Sequence, residues 1–204
     1  MKAEPNENTG YPTAGIIIIG NEILSGKVED SNSPYLCKEL RFLGVDVKRL
    51  VTLPDEIDII GNHVFEYSHD YTWVFTTGGI GPTHDDITSK SIAKAFNLSY
   101  IYHKEAYEIL ERYYKPENFN EGRKKMAMLP DKAFLILNPS SAAPGFIVDN
   151  VYCLPGVPSI LKSMLGGLNN KIIGGKKILS KTISVHTVES EIAKSLANIQ
   201  QKFK

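Results

Sequence analysis

Thr76-Thr77-Gly78-Gly79-Ile80-Gly81-Pro82-Thr83-His84-Asp85-Asp86-Ile87-Thr88 decides how this chain is read. The apolar run Tyr71-Thr72-Trp73-Val74-Phe75 precedes it and reads as a buried strand. Ser89 to Phe96 follows it, with Ile92, Ala93 and Phe96 at helical spacing. A glycine-rich bend therefore joins a strand to a helix. In α/β proteins that junction binds anions, because bare backbone N–H groups and the helix dipole both face the incoming charge. Glycines at Gly78, Gly79 and Gly81 serve either a tight turn or the close approach of a ligand. Three of them beside Pro82 exceed what a turn needs, and a phosphate or nucleotide site is the expectation.

Asp85 and Asp86 admit two readings. Thr83 and Asp86 have the spacing of a capping box, and acids in a first helical turn suit the dipole. Yet two carboxylates beside a phosphate repel it by about 4 kcal/mol per pair at 4 Å and an effective dielectric near 20. A divalent cation held by Asp85 and Asp86 reverses that sign, since Mg²⁺ is bound through one or two carboxylates plus substrate phosphates. His84 is a further ligand candidate, although a lone histidine is more often a solvated bystander.

Outward from this bend, Ala14-Gly15-Ile16-Ile17-Ile18-Ile19-Gly20 reads as a central strand buried on both faces. A turn over 21–27 and a helix opening at Ser33-Pro34, with Leu36, Leu40 and Leu43 on one face, come next. Val45–Val51 is the second strand, and a helix runs from Pro54 to about His69. Helical patterns follow at Lys104–Tyr114 and Glu121–Met128. Short strands are expected at Phe134–Leu137, Gly145–Asp149 and Val151–Leu154, the last two joined as a hairpin through Asp149-Asn150. A helix over Val157–Leu165, a strand over Lys177–Val185 and a helix over Glu189–Phe203 complete the pattern. Alternating strands and helices predict an α/β fold with a mostly parallel sheet and helices on both faces, plus a small β-containing extension at the C-terminus. The expected organisation is a flexible tail over 1–13, a domain over 14–168 and a strand-helix extension over 169–204.

Other loops supply candidates. Gly20-Asn21-Glu22 lies at the C-terminal end of the first strand, where open α/β sheets bind ligands. Glu22 there reads either as an acid for a metal-bound water or as a surface residue. Asp30 and Asn32 read as helix caps, and Asp55 as a helix-start acid or a functional one. Asn138-Pro139-Ser140-Ser141-Ala142-Ala143-Pro144-Gly145 and Leu154-Pro155-Gly156-Val157-Pro158 either punctuate the chain or wall the same cleft. Tyr100, Tyr102, Tyr107, Tyr113 and Tyr114 look like a half-buried surface rather than a base-stacking platform.

The chain has 204 residues, with Lys+Arg and Asp+Glu both at 23 and a net charge of zero. No global basic field recommends a nucleic-acid partner. No apolar run nears the ~20 residues of a membrane span, so no membrane partner is expected. Cys37 and Cys153 form no disulfide or zinc pattern, and the chain reads as cytoplasmic.

These motifs together resemble the molybdopterin-binding domain of the competence/damage-inducible protein A family, from about Ala14 to Leu168. Thr83-His84-Asp85-Asp86-Ile87-Thr88 is also similar to the N-terminal domain of eukaryotic FAD synthases. The resemblance implies a three-layer α/β/α fold and self-association as a dimer or trimer. It implies a pterin or nucleotide phosphate ligand on Gly20, Asn21, Thr77, Gly78, Gly79, Gly81, Pro82, Thr83, Thr88, Asn138, Pro155 and Gly156. It implies Asp86 and Asp55 as active-site carboxylates; in the catalytic reading Glu22 or Asp55 orients the attacking water. The implied activity is metal-dependent (Mg, Mn or Co) cleavage of a nucleotide diphosphate such as ADP-ribose or FAD. The alternatives are a pterin- or nucleotide-binding module without turnover and a molybdopterin adenylyltransferase. Ile80 departs from the Gly-Gly-Thr-Gly pattern of the adenylyltransferases, which weakens the last.

Overall fold

Seven consecutive residues of the first strand, β1 (Thr13–Ile19), are buried, because strands cover both of its edges and helices both of its faces. The computed structural model describes residues 11–168, 171–176, 179 and 181–203. β1 pairs in parallel with β2 (Asp46–Leu53) on one side and β3 (Trp73–Thr77) on the other. β3 continues in parallel to β8 (Val151–Leu154), and β7 (Gly145–Val148) and β6 (Phe134–Ile136) add antiparallel strands. The order is β2-β1-β3-β8-β7-β6.

The pleat of β1 divides its isoleucines between two cores. Ile17 and Ile19 join Ile60, Val64 and Tyr67 of α3 (Ile57–Asp70) and Ile92 of α4 (Thr88–Ala95). Ile16 and Ile18 join Leu36 and Leu40 of α2 (Asn32–Phe42) and Leu161, Met164 and Leu165 of α7 (Pro158–Gly166). Helices thus flank the sheet on both sides, as the alternating pattern predicts, in the three-layer α/β/α arrangement the resemblance implies. The 149–150 hairpin forms as expected, with Asp149 at φ 50°. The Asn150 amide ties it down by donating to the carbonyls of Ser68 (3.0 Å) and Tyr71 (2.8 Å).

The strand order places the site. From β1 the chain crosses to β2 on one side, then returns to form β3 on the other. The loops leaving β1 and β3 therefore diverge, and a crevice opens between them at the carboxyl ends of the strands.

Several local expectations change. Residues 21–27 begin with a single helical turn, α1 (Asn21–Leu24). The helix expected over Glu121–Met128 stops early: α6 covers Glu121–Lys125, and Met128–Pro130 becomes strand β5. β5 pairs antiparallel with β4 (Tyr100–Tyr102), which the tyrosine-rich sequence did not suggest, in a separate two-stranded sheet. Between them, α5 (Lys104–Tyr113) buries Ala106 and Leu110. Residues 177, 178 and 180 of the expected 177–185 strand lie outside the described residues, and 179 and 181–185 are not in a strand. With no neighbouring strand among the described residues to complete their hydrogen bonds, β-branched residues there have no ladder to join. The last helix, α8 (Glu189–Gln201), buries none of its described side chains. Of the expected tail, Met1–Gly10 lie outside the described residues, while Pro12 already accepts the Asp46 N–H (2.9 Å) and Thr13 is in β1.

Candidate functional site

Gly78 is the pivot of the crevice. Its φ of +102° is a left-handed geometry, and a Cβ there would overlap the Ile19 carbonyl oxygen. Its N–H donates to the Leu154 carbonyl (3.1 Å), so it extends the sheet and does not offer a donor to a ligand. That corrects the expectation that all the loop's glycine amides are free. The amides of Gly79, Ile80 and Gly81, by contrast, donate to no acceptor among the described residues, and all three residues line the crevice.

The crevice is a cleft of about 750 Å³. The ends of β1 (Ile18, Ile19) and β3 (Thr77) form its floor, and the loops after β1, β3 and β8 form its walls.

Three of the expected ligand-binding side chains are engaged with the protein itself. The Thr77 hydroxyl donates to the Pro155 carbonyl (3.1 Å) and accepts from the Asn32 amide (2.8 Å). The Thr88 hydroxyl, fully buried, donates to the Gly78 carbonyl (2.9 Å). Asn138 accepts the N–H groups of Ser140 (2.9 Å) and Ser141 (3.2 Å) and donates to Ser141 Oγ (2.7 Å) and the Ala143 carbonyl (2.9 Å). That saturates the Asn138 side chain and fixes the 138–143 loop.

Asn32 is a stitch rather than a cap. Its Nδ2 donates to Thr77 Oγ1 and to the Gly156 carbonyl, both at 2.8 Å, and so joins the β1, β3 and β8 loops at one point. The Gly156 carbonyl fixes the amide's orientation, and Oδ1 is left buried without a partner among the described residues. Asp30 performs the capping: Oδ1 accepts the N–H groups of Asn32 (2.9 Å) and Ser33 (3.0 Å), and Oδ2 accepts the Ser33 hydroxyl.

The acids fall in two places. Asp86 lines the cleft and packs on Gly81, whose missing Cβ would stand 2.7 Å from Oδ2. Asp86 Oδ2 accepts the Thr83 N–H (2.7 Å) and lies 2.6 Å from the Thr83 hydroxyl. Asp85 Oδ1 lies 2.5 Å from the same hydroxyl. One hydroxyl proton cannot serve both carboxylates, so their oxygens converge around Thr83 with one contact uncompensated. The Thr83 hydroxyl, with smaller contributions from the His84 and Lys125 charges, holds the Asp85 carboxyl below its ordinary range. Thr83 is not the α4 cap: α4 starts at Thr88, and the Thr83–Asp86 pair closes a separate turn before it. Asp85, His84 and Thr83 are exposed and lie off the cleft lining.

Glu22 also lines the cleft, its carboxylate folded over Gly20 where a Cβ would collide with it. Asp55 does not line it; its Oδ2 accepts the Asn21 N–H (2.9 Å) at the start of α1. Gly20 and Asn21 likewise stand behind the lining, while Pro82, Pro155 and Gly156 belong to it.

Sequence reasoning missed Tyr114 and Arg123, which line the cleft from the α5–α6 segment. Nothing in their spacing points to the cleft, since the approach depends on the chain folding back over Pro82. There Gly122 passes so close that a Cβ would stand 3.2 Å from the Pro82 carbonyl, and Lys125 donates to the Thr83 carbonyl. The tyrosines are thus more than a half-buried surface: Tyr114 stacks with Phe119 (ring centroids 6.5 Å, planes 13° apart), and the Arg123 guanidinium lies 4.1 Å from the Tyr114 ring centre.

Comparison with known proteins identifies the family and the fold. A family model described as a probable molybdopterin binding domain matches residues 15–174. A protein of Archaeoglobus fulgidus is 41% identical over 148 residues, covering 72% of this chain and 63% of its own length. The chain thus spans less than two thirds of that relative. A probable FAD synthase of Caenorhabditis briggsae is 32% identical over 215 residues, covering 94% of this chain and 41% of that protein. Among solved structures, the CinA protein of Thermoplasma acidophilum superimposes with a TM-score of 0.73 at 30% identity, covering 79% of this chain and 99% of that one.

Proposed function

The chain belongs to the molybdopterin-binding-domain family, and on that premise we propose that it is a divalent-metal-dependent pyrophosphatase that hydrolyses a nucleotide diphosphate of the ADP-ribose or FAD class. One observation carries the reading. The free amides of Gly79, Ile80 and Gly81 and the convergent carboxylates of Asp85 and Asp86 belong to one loop at the edge of one cleft. Amides attract a phosphate and bare carboxylates repel it, so their combination makes sense for a phosphate that arrives with a cation.

The donor set fits such a cation when the substrate completes its shell. Asp85, Asp86 and the Thr83 hydroxyl offer hard oxygens, and among the described residues no cluster of three or more His, Cys, Asp or Glu side chains is placed to hold a metal alone. A bound divalent ion would supply Lewis-acid polarisation of a phosphoryl oxygen. The chain's own residues do the rest. Gly79, Ile80 and Gly81 orient one phosphate through their N–H groups. Glu22, at the other wall, accepts a proton from the attacking water. The water oxygen forms a bond to one phosphorus and the bridging P–O bond breaks, so that ADP-ribose and water become AMP and ribose 5-phosphate. Asp55 acts at one remove, by fixing the start of α1 and with it the backbone that carries Glu22.

A binding module without turnover is the second reading. It is favoured by the bracing of Asp86 on Thr83, which serves loop structure equally well. Incubation of the purified protein with ADP-ribose, FAD or NAD and Mg²⁺, Mn²⁺ or Co²⁺, with AMP release followed chromatographically, separates the two. AMP release that needs the metal supports the enzyme. Tight nucleotide or pterin binding with no release under any pairing rejects it in favour of the module.

A further inference from the structure

The charges lining the cleft are unbalanced. Glu22, Glu29, Asp30 and Asp86 are acidic, and Arg123 is the only basic side chain among the described lining residues. Asp30 is satisfied by the start of α2. Arg123 has no such partner: one terminal amino group donates to the Asn118 carbonyl, and no carboxylate pairs with the guanidinium among the described residues. A half-buried arginine without a carboxylate partner among the described residues, in the lining of an otherwise acidic cleft, has N–H groups left over for an anionic ligand.

Its mounting is specific. The guanidinium lies 4.1 Å from the Tyr114 ring centre, Tyr114 is backed by Phe119, and Phe119 by Tyr107 (ring centroids 5.1 Å). A guanidinium over an aromatic face keeps its in-plane N–H groups available to oxygen acceptors, and those beyond the Asn118 contact remain for a ligand. The α6 backbone that carries it is pinned to the phosphate loop at Gly122–Pro82 and Lys125–Thr83. The phosphate loop and the helix that carries the arginine are therefore in contact.

We propose that Arg123, seated on Tyr114, is an anion clamp that grips phosphate oxygens of a ligand resting on the Gly79–Gly81 amides, and that it selects ligands carrying two linked phosphates over those carrying one. This rests on the nucleotide diphosphate reading above and deepens it. One phosphate is accommodated by the amides; the arginine, on the α6 side of the same cleft, gives the second its countercharge.

The test is calorimetric titration of the wild type, Arg123→Gln and Arg123→Lys with inorganic pyrophosphate, inorganic phosphate and ADP-ribose, each with Mg²⁺ at low and high salt. Circular dichroism melts run in parallel. Arg123→Gln should weaken pyrophosphate and ADP-ribose by about ten- to hundred-fold, the weight of a charged hydrogen bond, and flatten the salt dependence. Binding of inorganic phosphate should change far less. Arg123→Lys should recover part of the loss, because it restores charge but not the fork. If Arg123→Gln melts like the wild type and binds pyrophosphate and ADP-ribose within about twofold of it, the clamp is wrong. If Arg123→Gln fails to fold, the Arg123→Lys titration decides: pyrophosphate affinity equal to wild type overturns the fork, and a selective loss supports it. A wild type that binds pyrophosphate through Arg123 yet releases no AMP from ADP-ribose would retain the clamp and reject the hydrolase; a wild type that binds neither rejects both.

Discussion

Asp86 is where bracing and chemistry can be separated. Its carboxylate accepts the Thr83 N–H at 2.7 Å, lies 2.6 Å from the Thr83 hydroxyl, and packs on the bare Cα of Gly81. Asp86→Ala removes both contacts. In a solvent-accessible turn these amount to about 1 kcal/mol together, at the low end for hydrogen bonds. For a chain of this size that lowers the melting temperature by about 2–4 °C. Asp86→Asn keeps an amide oxygen of the same shape for the Thr83 N–H and removes the charge, so its melting temperature should stay within about 2 °C of wild type. If the charge positions a cation and stabilises the transition state, turnover in Asp86→Asn should fall by about a hundred-fold or more despite the intact loop. The assay is metal-dependent AMP release from ADP-ribose, with melts on the same preparations. Asp86→Asn turning over within about threefold of wild type, with Asp86→Ala impaired only in proportion to its lost stability, would refute the electrostatic role and leave Asp86 as a brace.

Gly78→Ala forces a side chain into a φ of +102° and against the Ile19 carbonyl, at a cost of at least about 1–3 kcal/mol of backbone strain, so it should melt well below wild type; an unchanged melt contradicts the observed geometry. At Asn32, Leu removes two buried donor contacts together with the orphaned Oδ1, whereas Asp sets carboxylate oxygens against the Gly156 carbonyl; urea denaturation should rank Asn above Leu and Leu above Asp, and Asp tolerated as well as Leu would contradict the hydrogen-bond assignment. Burial raises the Cys153 thiol from its ordinary 9.0, so its contribution to stability is complete below pH 9 and is lost as pH rises beyond it. Tyr67 and Tyr152, raised from 10.0 by burial, act in the same direction above pH 10. Melting temperature should therefore decline from about pH 9 upward, and a thiol reagent at pH 8 should label the half-buried Cys37 before Cys153, which reacts only on unfolding.

Much of this architecture was legible because it repeats over many residues. Five apolar positions in Ala14–Ile19 announce a strand covered on both faces, and the cores on either side of β1 are what that pattern requires. The glycine-rich bend was legible because few local structures need that composition. The small side sheet was not. β4 and β5 have three residues each, too few for a period to show, and Met128–Pro130 continues the apparent helix of Glu121–Lys125 until a partner strand captures it. The structural roles of Thr77, Thr88 and Asn138 were hidden for a different reason. Sequence reveals a hydroxyl or an amide near the site but not whether it points at a ligand or at the next loop. Tyr114 and Arg123 illustrate the opposite case: remote in sequence from the bend, they reach it through a contact between Gly122 and Pro82 that no local pattern encodes.

That division of labour bears on how the cleft could work. A phosphate gains most from backbone amides when those amides already point at it, since reorienting them on binding costs part of the attraction. Free glycines would be poor candidates for such a role, because glycine loses more conformational entropy on ordering than any other residue. Here the disorder is removed in advance by side chains that hydrogen-bond within the protein. Thr88 holds the Gly78 carbonyl, Asn32 and Thr77 fasten the β1, β3 and β8 loops together, and Asn138 locks the wall beyond them. Asp86 closes the far end of the bend on Thr83, and α6 is pinned against it. Polar residues that resemble ligand contacts in sequence thus act as fasteners, and the three amides from Gly79 to Gly81 are left without an acceptor among the described residues. Loosening a fastener should accordingly weaken phosphate binding without deleting any contact to the phosphate, a pattern opposite to that expected for Arg123, where the contact goes and the frame stays.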